Sequence, residues 1–442
     1  MRRTSSGLLA FAVAFVFPTH WAAAQEPPDF DGRYIAAISD GDMRAYAYID
    51  GRLGPKRGPD ELALIRLPLE GREATSRIEV SNTVINPVYS IAAALDGDTI
   101  FVAETHTPQE AGDETIRDLQ AGTTLRAVDV SDLAAPRVID QVEVGVRPMG
   151  VSVSPDGRTL VIATKTPDTP ITLLTFENGR FGEPKLVSLD GLSAIPELPD
   201  NGLLPHHAEW HPTADIVAVT FALRNQLRFY RVQRNQNGEA IGLSQWGNPV
   251  VASKWPMSGK FSRDGRYFVS NDLKWGPDVD GFYLNAPASQ LTSIRLAELE
   301  AAEPRHTVVS GVAVPRHAES IAFSNAGDLI VTLNIGQTWL ESDEPGYTLS
   351  TLSLLRFDQA SGQMTHLGDW EMEGILPEGV AFDADDTHVV AGVFEYEGPE
   401  PRQSALEFWS VVRAGVHPPR LVPTGFSIPT GPGAHSLIVI ND

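Results

Sequence analysis

The chain has 442 residues, 57 acidic against 34 basic side chains, a formal charge of −23 and no cysteine. That charge excludes the positive face that nucleic acid or an anionic membrane surface requires of a partner. The missing thiol excludes thiolate nucleophiles, zinc–thiolate centres, disulfides and haem attached through Cys-x-x-Cys-His, so the fold must be held by its core.

The N-terminus carries Arg2 and Arg3, then an apolar run over 8–17, then Ala22, Ala23 and Ala24. A charged start, a short apolar stretch and a small-residue exit predict a secretory leader cut after Ala24, and hence a periplasmic or secreted protein. The alternative is an N-terminal membrane anchor, for which the run is short. No later segment is long and apolar enough for membrane insertion. Residues 25–442 are expected to form a single domain, because the chain repeats.

Six segments share one plan: a Pro or small residue, an apolar alternation, an Asp-Gly-type turn and a β-rich run. Their anchors fall at 87, 148, 205, 256, 315 and 377, which is 51 to 62 residues apart. Examples are PMGVSVSPDG at 148–157, PHHAEWHPTA at 205–214 and PMSGKFSRDG at 256–265. Second strands are expected at 99–103, 159–164, 216–221, 267–271, 329–333 and 388–393. Each unit reads as a four-stranded antiparallel meander that cannot bury both faces alone, the signature of a propeller blade. A seventh blade is expected to be shared: 434–442 from the C-terminus with 33–39, 44–49 and 61–66 from the N-terminus. The predicted fold is thus an all-β, seven-bladed β-propeller closed by its two ends, which leaves no free sheet edge. An eight-bladed ring and a two-domain β protein are the alternatives.

In such a meander the start of a first strand and the end of a second lie on one face. The starts contribute Tyr89, Met149, His206, His207, Met257, Ser258, His317, Glu319, Glu378 and His435. The exits contribute Glu104, His106, Lys165, Arg224, Asp272, Lys274, Trp275, Asn334 and Glu395. Ionisable groups concentrated in a partly desolvated channel are where pKa values move toward catalytic usefulness. The opposite-face turns carry only turn chemistry. A lone histidine at a strand start is more often a satisfied structural group than a catalyst. In His207-Ala-Glu209 and His317-Ala-Glu319, however, the period of two puts His and Glu on the same side of a strand. Adjacent residues point opposite ways, so one of His206 and His207 faces the channel and the register decides which.

The blade over 204–232, with PHHAEWHP followed by VAVTFALRNQLRFY, resembles the lactonase-type seven-bladed propellers. That family includes 6-phosphogluconolactonase and the carboxymuconate-lactonising enzymes. Its Pro-Arg-His strand start is matched by Pro315, Arg316 and His317, and 148–164 resembles the wider YVTN-type repeat. The resemblance implies a hydrolase or isomerising enzyme with His206 or His207 and Arg316 at the site and a carboxylate such as Glu378 as acid or base. In the family, Pro-Arg-His usually opens the blade directly after the His-bearing one; here the intervening blade opens with PMSG.

Three functions follow as expectations. In the first, Lys165, Lys274, Arg224 and Arg316 hold a small polar or anionic substrate while His or Glu moves a proton. Glu104, His106, Asp272, Trp275 and Glu395 complete its binding surface. In the second, His206, His207, His317 or His435 with Glu319, Glu378 or Glu104 hold one divalent metal ion on the axis; His207, His317 and His435 are the leading candidates. In the third, insertions at 107–117, 278–290 and 336–347 build a rim that binds a peptide, glycan or protein without catalysis.

Overall fold

The computed structural model describes residues 26–83, 89–398 and 402–441. The expected leader at 1–24 and the blade-opening Pro87 lie outside the described residues. Seven antiparallel sheets, each a meander of four strands, surround one axis. First strands are Ile91–Ala93, Gly150–Val153, His207–Trp210, Pro256–Phe261, Ala318–Phe323, Ile375–Phe382 and Ala434–Ile440. We number the blades one to seven in that order. In blades two and three the outermost strand is broken into two pieces.

Blade seven closes the ring. Its inner strand Ala434–Ile440 pairs with Tyr34–Ser39, with Ile38 opposite Ser436, and outward follow Glu61–Arg66 and Ser76–Glu79. The expected strand at 44–49 is not there; one helical turn, Ala47–Asp50, replaces it. Asp40 breaks the strand, because its Oδ1 accepts the N–H groups of Asp42 and Met43 and turns the chain. The alternating Ala and Tyr of 45–48 then pack across the end of the propeller rather than into the sheet.

The opposite-face turn of blade two satisfies itself. The Ser154 hydroxyl donates to Asp156 at 2.5 Å and accepts the Thr159 N–H at 2.9 Å, while Gly157 takes φ +73°. Trp210, Phe261, Phe323 and Phe382 are buried between blades, as their equivalent positions predict.

Four long connections, 40–60, 104–123, 273–288 and 335–349, join second to third strands and therefore leave from the same end. They do not form an open rim. Met43, Leu53, Leu119, Trp339, Leu376 and Phe394 build a separate apolar cluster there, which caps the axis. Arg52 bridges Thr115, and the Leu53 N–H donates to the Glu114 carbonyl at 3.0 Å, which ties blade seven's connection to blade one's.

Candidate functional site

Register places the expected residues on the capped end. Gly150 stands opposite Ala163, His207 opposite Thr220, Pro256 opposite Asp272, Ala318 opposite Asn334 and Ile375 opposite Glu395. Backbone strain collects at the same end. Of the non-glycine residues with left-handed φ, those that are neither Asn nor Asp are Arg147, Trp255, Lys274, Phe282, His317 and Leu376. All six sit at strand starts, strand exits or cap connections of this end. Bulky residues held at positive φ are costly and gather where function or packing over-determines the backbone.

The expected residues divide into three groups. The first, from blades one to three, lines a cavity of about 260 Å³ with His106, Ile116, Arg117, Arg147, Met149, Lys165 and His206. Its polar lining is entirely cationic or imidazole. The Lys165 ammonium donates to the Pro205 carbonyl at 2.6 Å and has no carboxylate partner among the described residues. Burial pushes Lys165 down to about 7, against the pull of Asp200 and with a further push from Arg147. Burial, then Lys165, holds His206 well below the usual imidazole range, and burial with Arg147 takes His106 to about 4. Both imidazoles are therefore neutral at pH 7, and each keeps a buried Nδ1 without a hydrogen-bond partner.

The second group lies on the axis. His207 Nε2 is 3.1 Å from Glu209, Glu209 is paired with Lys260 at 3.0 Å, and the Lys260 ammonium sits 4.2 Å from the Tyr89 ring centroid. The Tyr89 and His207 rings are 4.9 Å apart. The choice left open by the sequence is thus resolved: His207 belongs to the channel and His206 to the basic cavity. Beyond Tyr89, toward the opposite face, a larger cavity of about 370 Å³ is walled by Ile321, Phe323, Phe382 and Leu437 with Glu209 and Lys260.

The third group comes from blades four to six. Glu319 and Glu378 meet Tyr48, Trp275, Tyr283, Trp339 and Leu376 around a small cavity of about 20 Å³. The Trp275 indole N–H donates to His317 Nδ1 at 2.8 Å, and burial, then Arg316, takes His317 to about 3. Burial pushes Glu319 up to about 8; burial, then Glu319 and Asp40, holds Glu378 well above the usual carboxylate range.

Several expected residues serve the scaffold. Glu104 pairs with Arg126 at 3.3 Å, and Arg224 donates to the Ser193 carbonyl at 3.1 Å. Asp272 accepts from Ser270, Thr292 and the Ser253 N–H, and burial takes it to about 7. Glu395 is held by Arg57 at 2.6 Å and by the Ala45 N–H at 2.9 Å, so it anchors the cap. Arg316 and Lys274 line none of these cavities. His435 Nε2 is 2.8 Å from Asn82 Oδ1, and burial lowers it to about 3.

His207, His317 and His435 are not brought together as a ligand set. Among the described residues the one trio of carboxylate or imidazole atoms within 4.8 Å is Asp40, Asp42 and Asp60, which the sequence reading missed. Lys56 Nζ stands 2.8 Å from Asp42, and Asp60 accepts from Gly41, Asn82 and Thr83, so the trio is knitted into the base of the cap. Arg147 was also missed; its signal is a basic residue directly before the anchor Pro148.

The chain superposes on solved seven-bladed propellers over nearly its whole length. A candidate 6-phosphogluconolactonase from Bacteroides fragilis matches with TM-score 0.61 and 12% identity, over 94% of this chain and 100% of that one. The periplasmic gluconolactonase PpgL of Pseudomonas aeruginosa matches at 0.58 and 15%, over 92% and 100%. The fold is theirs. A hypothetical selenium-binding protein from Sulfolobus tokodaii also matches, at 0.58 and 10% over 93% and 94%, so the shared fold by itself assigns no activity. No protein-family profile matches the chain, and no curated protein matches its sequence.

Proposed function

We propose that the protein is an exported, lactonase-like hydrolase that opens a small anionic lactone in the basic cavity of blades one to three. The observation that carries this reading is the convergence of Arg147, Lys165, His106 and His206 on about 260 Å³ of space whose lining holds no carboxylate. Arg147 and Arg117 are suited to a carboxylate or phosphate, which a guanidinium binds bidentately. The neutral His206 imidazole takes a proton from water as the water oxygen adds to the lactone carbonyl carbon. The oxyanion faces the Lys165 ammonium. Its collapse breaks the ring C–O bond, and the departing oxygen takes the proton back from His206, leaving the hydroxy acid. An anion bound beside His206 raises its basicity toward the working range.

The likeness to proteins described as gluconolactonases supports the reaction class, and the leader-like pattern of residues 1–24 is the sequence feature behind export. The test is a panel of sugar-acid and phosphosugar lactones assayed with purified protein and with His206→Ala and Lys165→Met. We expect hydrolysis that drops about a hundredfold in the His206 variant. No turnover of any lactone, or wild-type rates in both variants, overturns the reading.

A further inference from the structure

The cavity between blades four and six has a chemistry opposite to that of the basic cavity. Four aromatic side chains, Tyr48, Trp275, Tyr283 and Trp339, surround two carboxyl groups. Glu319 is 6% exposed and Glu378 4% exposed, and among the described residues neither carboxyl has a hydrogen-bond or ion-pair partner. Four cations of this end have other carboxylate partners: Arg57 and Arg402 pair with Glu395, Lys56 with Asp42 and Lys254 with Asp278. Two adjacent buried carboxylates without a counter-charge are strongly unfavourable, so either protons or a cation must compensate them.

The walls are fixed in place. Trp275 is held by its hydrogen bond to His317 and packs 5.3 Å from Tyr283; Trp339 packs 4.8 Å from His317 and 6.1 Å from Tyr283. Aromatic faces attract weakly hydrated cations. Space of about 20 Å³ takes one water-sized group. Magnesium or calcium needs six or more oxygen ligands or retained waters, which this cage does not offer. Tyr48 and Tyr283 are only half-buried, so the cage has one edge toward solvent.

We propose that Glu319 and Glu378, with the aromatic walls of Trp275, Tyr283 and Trp339, form a binding site for an ammonium-type cation, either free ammonium or the –NH₃⁺ head of a primary amine. The groups that tune it are Asp40, which acts on Glu378, and Tyr283, which faces Glu319; His317 meets the cage through Trp275 and Trp339. Protons compete with the cation for the same carboxyls, so binding strengthens as the pH rises.

The test is titration calorimetry and thermal denaturation of the intact protein at pH 6.0 and 8.5, at constant ionic strength. The probes are the chlorides of ammonium, propylammonium, sodium and tetramethylammonium. We expect one saturable site for ammonium, about tenfold or more weaker at pH 6.0. Equal binding of propylammonium marks the amine head as the ligand, and ammonium alone marks the free ion. The isosteric double variant E319Q/E378Q removes buried charge without removing volume, so it folds, and it loses the site. The variant H206A, in the other cavity, keeps it. Ammonium behaving like sodium overturns the proposal, as does tetramethylammonium binding as tightly as ammonium or binding that survives in E319Q/E378Q.

Discussion

The Tyr89 hydroxyl reaches across the axis from blade one to the backbone of Ile321 in blade five, donating to its carbonyl at 3.2 Å and accepting its N–H at 3.1 Å. With Lys260 over the ring, this single side chain divides the channel into a capped end and an open end. Tyr89→Phe removes both hydrogen bonds and keeps the ring, so it costs about 1–2 kcal/mol in denaturant unfolding. Tyr89→Ala also removes the ring and costs more.

Lys165 sets the alkaline limb of the proposed hydrolysis. Its ammonium is the form that steadies an oxyanion, and burial brings its loss of a proton to about 7. Activity on an anionic lactone should therefore fall as the pH rises through about 7 to 8. In Lys165→Arg the charge persists, and the profile should stay flat to about pH 9, at a lower plateau because the guanidinium has a different reach. A wild-type profile still climbing at pH 9 contradicts this role.

Buried carboxyls give the fold an alkaline weakness. Asp60, Asp272 and Glu319 are raised to about 6, 7 and 8, and Glu378 is raised as well. A carboxyl raised in the folded state contributes stability that is complete below its unfolded pKa and is lost as the pH rises through its folded one. The melting temperature should therefore decline from pH 6.5 to pH 9. Glu319→Gln should flatten that decline, and a melting curve that rises over this range refutes the account.

The cap hangs on one buried ion pair. Arg57 and Glu395 have side chains 6% and 1% exposed, and the Glu395 carboxylate also accepts the Ala45 N–H. Arg57→Ala leaves that carboxylate with Arg402 at 3.6 Å and should cost about 3–5 kcal/mol. Because the loss falls on 43–57, limited proteolysis should cut there first, well before the blades. Glu395→Gln keeps the Ala45 contact and should be milder.

The blades were legible because each repeats the same physical device. An apolar alternation, an Asp-Gly turn and a second alternation can only be a hairpin, as at 148–164. The shared edge of strand starts and exits followed from antiparallel pairing alone, which is why Lys165 and His206 were expected on one face. The cap was not legible. Met43, Leu53, Leu119 and Trp339 have no common period and find one another only after four connections converge. The segment at 44–49 alternates like a strand, yet Asp40 turns the chain before pairing can continue. Arg147 escaped notice because its placement depends on a left-handed backbone that no residue type announces. The division of the mouth into a basic cavity and an acidic cage depends on which blades adjoin in space, and a list of residues on a common face does not carry that.

Pairing of Tyr34 with Ile440 has a consequence for the order of assembly. Blades one to six are built from consecutive segments and can form as soon as each is complete, whereas blade seven waits for both ends of the chain. Contacts so distant in sequence are the slow ones in folding. The connection at 40–60 leaves directly from that last-joined sheet, and it supplies Tyr48 to the cage and Arg57 to Glu395. The acidic cage is thus completed only when the circle is, so a partly assembled chain presents its blades before it presents that site.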